Sequence, residues 1–299
     1  MYVILLVLPD FMLIALGWVL LHKLNFSADF FRSAEKLVYF VLFPALLFQS
    51  ISQAPLSPSG AWLIFQATLA LCGFGVLMAW LAVPALRPNP IAHASVAQCA
   101  YRFNTYIGLS IAGSLGGAAA QSIMAVIVGF AVPLANIAAV HGLARQSNGK
   151  VFSEILRNPF ILATVGGLLF NLLQIPVPKP IDTALVRLGA CALAIGLMCV
   201  GATLSLHGAR ASAALMGWMI AVRLLVMPLG ALAIGWALDL SLIERQMLFL
   251  FSTLPTSSSA HVLSARLGGD ARLTAVTMSI GTLFSAITIP LWLMTVTTS

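Results

Sequence analysis

Charge is what this sequence has least of. Only 8% of its 299 residues are Asp, Glu, Lys or Arg, against 61% hydrophobic. That balance excludes an ordinary soluble domain, and no polar stretch is long enough to fold as a separate one. Cysteine is scarce too. Cys72, Cys99, Cys191 and Cys199 all sit in apolar runs without metal-ligand spacing, so they read as small buried hydrophobes and no metal or cofactor is expected. Carboxylates are nearly absent from the apolar runs, Asp10 being the one that lies well inside a run. The first run lacks a preceding basic segment, since Lys23, Arg32 and Lys36 come after it; it is expected to stay as a spanning helix rather than be removed as a signal.

What the chain has is apolar length. Runs of roughly 18 residues or more, each able to cross about 30 Å of hydrocarbon, recur throughout. They predict ten spans, at about 3–21, 33–51, 61–84, 93–114, 119–142, 155–174, 181–206, 212–238, 242–264 and 272–296. Pro55 and Pro58, Pro84 to Pro90, and Pro176 to Pro180 mark three linkers, where proline ends a helix at little cost. Trp18, Trp80, Trp236 and Trp292 fall near span ends, as in an interfacial aromatic belt. The expectation is an all-α polytopic membrane protein of the cell (inner) membrane.

The net charge of +7 would suggest nucleic acid for a soluble protein; here it reads as loop charge, and no nucleic-acid partner is expected. One set of alternate loops holds Lys23, Arg32, Lys36, Arg87, Arg145, Lys150, Arg157, Arg210, Arg266 and Arg272, whereas the other holds Lys179, Arg187 and Arg245. The positive-inside rule makes the first set cytoplasmic and both termini extracytoplasmic. Glu35, Glu154 and Asp270 then lie at cytoplasmic span ends, as solvated partners of nearby basic residues.

The two halves echo one another. Pro9 and Gly17 match Pro159 and Gly167 at an offset of 150, and Leu115-Gly116-Gly117 matches Leu267-Gly268-Gly269 at 152, as Gly129 matches Gly281. Residues 1–150 and 151–299 then form two repeats of five spans each. Because five is odd, the second enters the membrane in the opposite sense, the inverted-repeat plan of many secondary transporters.

Two spans are interrupted. Span four reads Tyr101-Arg102-Phe103-Asn104-Thr105-Tyr106-Ile107-Gly108, and span nine reads Thr253-Leu254-Pro255-Thr256-Ser257-Ser258-Ser259-Ala260. Both interruptions fall near the bilayer midplane. Pro255 predicts a kink or unwinding, and Asn104, Thr105 and Gly108 predict a softer break. Unwound backbone in a bilayer persists where it lines a cavity or is buried in protein, and the half-helix after each break offers free amides and a positive dipole end. Thr256 to Ser259 suit the start of such a helix. The pair is therefore expected to bind an anion, especially a carboxylate, through Asn104, Thr105, Arg102, Tyr106, Thr256, Ser257 and Ser258.

Other polar residues have two readings each. Arg102 either meets the substrate or reaches a break carbonyl or a nearby Asp. Arg223, well inside span eight, either snorkels or supports the second break. Asp10 is titratable, as proton coupling requires, yet close enough to the outer end to be solvated. His261 is a candidate for coupling, or a structural donor. Ser257 to Ser259 with His261 is the one set resembling a nucleophile and base; no carboxylate orients the histidine, so an intramembrane serine-dependent enzyme is not expected.

Pro9 through Gly17, the run Leu42-Phe43-Pro44-Ala45-Leu46-Leu47-Phe48, the stretch from Arg102 to Gly108, and Pro255 through Asp270 together resemble bacterial members of the auxin efflux carrier (PIN-like) family over nearly the whole chain. The resemblance implies ten helices in two inverted five-helix repeats, with broken helices 4 and 9 crossing at the site, similar to bile-acid transporters and sodium/proton antiporters. It implies elevator-type alternating access, often in a homodimer, and small organic anions such as malonate, malate or auxin, with H+ or Na+ as the possible coupling ion. Asn104 corresponds to the family's site asparagine and Pro255 to its second crossover proline. Two departures stand out: no proline lies between Pro90 and Pro133, and the long cytoplasmic loop of plant carriers is replaced by the short segment Leu143 to Glu154, which argues against auxin. The alternative of a cation/proton antiporter is weakened by the lack of paired aspartates at the breaks.

Overall fold

In a computed structural model, residues 2–54, 58–144, 159–204, 212–257 and 259–297 are described. Ser258, the loop residues Arg145, Lys150, Glu154, Arg157 and Arg210, Pro55 and the linker beyond Ala144 that joins the two halves lie outside them, as does the side chain of Arg266. The described residues are almost entirely helical, with no strand among them. In order, the helices are α1 (Tyr2–His22), α2 (Ala28–Ser52), α3 (Pro58–Trp80), α4 (Pro90–Tyr101), α5 (Thr105–Ala144), α6 (Pro159–Leu172), α7 (Lys179–Thr203), α8 (Ala213–Ala237), α9 (Leu242–Thr253), α10 (Ser259–Arg266) and α11 (Ala271–Thr297).

Among the described residues, six stretches are long and apolar enough to cross a membrane: Ala28–Ser52, Ser59–Leu86, Pro90–Leu143, Lys179–Thr203, Ala213–Ala237 and Ala271–Thr295. Val7–His22 and Pro159–Leu172 are shorter apolar helices. A backbone surrounded by lipid must satisfy its hydrogen bonds internally, which is why an apolar chain of this length folds as helices. The protein is an all-α, multi-pass membrane protein.

Prolines inside α2 and α8 leave a local mark. Both helices contain a five-residue π-turn, Val38–Leu42 before Pro44 and Val222–Val226 before Pro228. Proline has no N–H for the carbonyl four residues back, and the ladder shifts register to absorb the loss. In α8 the carbonyl freed by Pro228 is that of Leu224, and Trp292 Nε1 on α11 donates to it at 2.8 Å.

The chain packs as two units, each drawing on both halves of the sequence. Unit one is Met1–Phe65, Thr105–Phe130 and Phe152–Ala202; unit two is Gln66–Asn104, Ala131–Val151 and Thr203–Ser299. Within unit one, α1 crosses α7 so closely that a Cβ at Gly17 would meet the Met198 carbonyl oxygen at 1.9 Å. Gly167 on α6 faces Ile51 and the Phe48 carbonyl of α2 in the same manner, with a Cβ at 3.0 and 3.2 Å. Phe43, Leu47, Ile51, Ile107 and Ile111 are fully buried there. Within unit two, α4, α8, α9, α10 and α11 pack together around Phe249, Phe251, Leu250, Met219 and Met227.

Both Leu-Gly-Gly segments end a half-helix. In α5 the backbone leaves helical geometry at Gly116 and Gly117, the latter at φ +61°. After α10 the chain turns at Gly268, φ +73°. Positive φ strains any residue with a Cβ, which explains glycine in both motifs.

Candidate functional site

The site candidate is built in unit two from two interrupted helices. Asn89 caps α4, its side-chain oxygen accepting from Ile91 N at 2.9 Å and Ala92 N at 3.3 Å, with Pro90 following at the first helical position. Glu244 caps α9 by accepting from Ser241 N at 2.9 Å. Each of α4 and α9 then runs for 12 residues before breaking, about 18 Å at 1.5 Å per residue.

The first break is Arg102-Phe103-Asn104, Arg102 being extended at φ −78°, ψ 150°. It therefore falls before Gly108, which is helical and buried within α5; the expected softening at that glycine does not occur because the break ends where Thr105 restarts the helix. The second break is Leu254 to Ser257, centred on Pro255 as its missing N–H requires.

The two breaks satisfy one another. Asn104 N donates to the Pro255 carbonyl at 2.8 Å, and Thr256 Oγ1 donates to the Cys99 carbonyl at 2.7 Å. Cys99 is four residues before Phe103, where α4 has already ended, so Thr256 fills an acceptor that the break left empty. Phe103 packs against Phe251 with the rings tilted at 58° and 4.2 Å between centroids.

Arg223 supports the second break and does not snorkel; only 1% of its surface is exposed. Its Nη2 donates to the Phe251 carbonyl at 2.8 Å and its Nε to the Leu254 carbonyl at 2.6 Å. Phe251 is four residues before Pro255, so its carbonyl is the one the proline orphans. The guanidinium thus sits at the negative end of α9, presented by the π-turn of α8.

Arg102 is buried, with Nη1 donating to Gln98 Oε1 at 3.0 Å and Nη2 to Asn136 Oδ1. Gln98 continues inward, donating to Ser264 Oγ at 2.9 Å. Ser264 Oγ lies 3.0 Å from Thr274 Oγ1, and Ser95 Oγ accepts from Asp270 N at 2.7 Å. This chain ties α4 to α10 and α11. Reading the sequence missed Ser95, Gln98, Asn136, Ser264 and Thr274; a polar residue in an apolar run was the one signal available for each.

The remaining expected residues separate. Ser257 caps α10, its Oγ accepting from Ser259 N at 3.3 Å and lying 2.9 Å from Ser259 Oγ. His261 Nδ1 is buried without a hydrogen-bond partner, so no nucleophile–base pair is assembled from the described serines. Thr105 opens α5, and Tyr106 packs edge-on against Phe43 of unit one at 5.2 Å. Asp10 is not solvated at a helix end: it is 4% exposed and accepts from Ser110 Oγ at 2.5 Å. Asp270 caps α11 by accepting from Leu273 N at 2.9 Å, rather than serving only as a solvated partner.

Residues 140–293 match the family described as membrane transport protein. The chain belongs to that family. The match bears out the resemblance to auxin efflux carriers. Relatives include a protein of Rhizobium meliloti (strain 1021) whose name assigns it provisionally to malonate transport, 26% identical over 304 residues that cover 95% of this chain and 92% of its own length. The uncharacterized transporter YfdV of Escherichia coli (strain K12) is 23% identical over 306 residues, covering 96% of this chain and 95% of itself.

Proposed function

We propose that this membrane transport protein is a secondary transporter of a small organic anion, a mono- or dicarboxylate of the malonate type. The observation that carries the reading is the reciprocal bonding of two broken helices, Asn104 N to the Pro255 carbonyl and Thr256 Oγ1 to the Cys99 carbonyl. Broken helices whose second halves start with free amides suit a carboxylate. The R. meliloti relative's name points to the same substrate class. In this reading Asn104 and Ser257 bind the anion, Thr256 ties the two breaks together, Arg102 braces the end of α4 through Gln98 and Asn136, and Pro255 with Arg223 fixes the second break.

Ten crossings in two inverted repeats, 1–150 and 151–299, complete the proposal, with both termini extracytoplasmic in the inner membrane. The paired glycine crossings support it: Gly17 of the first half packs on α7 of the second, and Gly167 of the second on α2 of the first. Elevator-type alternating access and a homodimer belong to the same proposal, as the resemblance to auxin efflux carriers implies. Thermal-shift screening of the purified protein against a carboxylate panel tests the substrate class. Malonate or a close homologue should raise the melting temperature in a saturable way; stabilisation by no carboxylate would overturn the reading.

A further inference from the structure

We propose that Asp10 and Ser110 form a proton-binding site, and that its proton is the ion coupled to the anion transport proposed above. The coupling rests on that reading of function; the proton site does not. Asp10 lies on α1, inside unit one, and is 4% exposed. Its Oδ1 accepts from Ser110 Oγ at 2.5 Å. Its Oδ2 is buried with no hydrogen-bond partner, and no Lys or Arg pairs with it among the described residues.

An ionised carboxylate there would carry charge on an oxygen without a donor, in surroundings that stabilise it poorly. A proton on Oδ2 removes that charge and needs no further ligand. A metal cation needs more oxygens than one carboxylate and one hydroxyl supply, and no cluster of three His, Cys, Asp or Glu side chains occurs among the described residues.

No titratable side chain on a neighbouring element is bonded to Asp10 among the described residues. On α2, Asp29 pairs with Arg32 at the surface, Lys36 is exposed, and Glu35 adjoins Ala34, which packs on the cluster of Phe31, Cys199 and Ala202, as do Leu20 and Leu21 at the other end of α1. On α7, Gln49 and Gln53 donate to Asp182, Arg187 is exposed, and Cys199 points to the Phe31 carbonyl. On α5, Tyr106 packs against Phe43.

Ser110 places the proton where it matters for an anion. It lies five residues after Thr105, about 8 Å along the half-helix that starts directly after the first break. An ionised Asp10 would repel an anion held at that helix start, and protonation removes the repulsion. Binding of proton and anion therefore favour one another.

Infrared titration of the full-length protein in lipid tests the site. A carboxylic-acid C=O band should be present in the wild type at neutral pH, vanish in Asp10→Asn and shift in Ser110→Ala, where one hydrogen bond is lost. If Asp10→Asn fails to fold, the Ser110→Ala shift decides. Absence of the band, or its survival in a folded Asp10→Asn, overturns the proton site. So does sodium-dependent stabilisation that needs Asp10 in the absence of the band. Proteoliposomes loaded with malonate test the coupling: a pH gradient should drive accumulation in the wild type, while Asp10→Asn keeps counterflow and loses the response. Counterflow indifferent to the gradient in the wild type overturns the coupling and leaves organic-anion transport standing. No exchange of any carboxylate, with the band present, overturns the organic-anion reading together with the coupling and leaves the proton site.

Discussion

Arg223 shows how a single side chain completes a helix break. Pro255 leaves the Phe251 carbonyl without its intrahelical donor, and a buried guanidinium 28 residues back in sequence supplies it. Bonds to a charged group are worth about 1.5–3 kcal/mol each. Arg223→Met should therefore destabilise the protein by about 2–4 kcal/mol and disorder the second break, seen as a lower melting temperature and weaker substrate binding. An unchanged melting temperature would show that the two carbonyls find other donors. For the proposed ligands, Asn104→Ala and Ser257→Ala should each weaken carboxylate binding roughly 10- to 150-fold, measured by calorimetry; unchanged affinity in both folded variants places the site elsewhere. Arg102 has its two Nη atoms on Gln98 and Asn136, a forked arrangement that lysine cannot reproduce. Arg102→Lys should lower thermal stability while leaving affinity within about tenfold, whereas abolished binding at intact stability would make Arg102 a direct ligand.

At the scale of elements, the packing of α4, α10 and α11 depends on close approach at Gly269. A Cβ there would stand 2.6 Å from Ser95 Oγ and 3.0 Å from Leu143 Cδ2. Gly269→Ala should thus push Ser95 off the Asp270 amide and cost about 1–3 kcal/mol. Gly73, in the interior of α3 with nothing within 4 Å of its would-be Cβ, provides the contrast. Gly73→Ala should stabilise by up to about 1 kcal/mol through helix propensity alone. Melting temperatures of the two variants in one detergent measure both; equal shifts would show that the approach at Gly269 is not tight.

For the whole molecule, the distribution of basic residues makes a prediction about sidedness. A cysteine at Ser147, in a background lacking the four native cysteines, should be labelled only after the membrane is opened, and one at Ser299 from outside intact cells. Labelling of the first in intact cells, with the second protected, would invert the proposed orientation.

The sequence by itself determined the class of the molecule and the two stretches that hold its breaks, though not that the first ends at Asn104, short of Gly108. Apolar run length, proline and loop charge act along the chain, with no knowledge of neighbours, so helices and the Pro255 interruption were legible from them. The Leu-Gly-Gly repeats were legible as an echo between the halves, whereas the structure added that each ends a half-helix at a glycine of positive φ. Tertiary structure decided which groups complete the breaks. The partners of Cys99, Gln98 and Arg223 lie 157, 166 and 28–31 residues away, and a lone serine or glutamine in an apolar run carries no mark of the acceptor it will meet. Burial of Asp10 was equally hidden, because position along a helix gives depth but not which face another helix will cover.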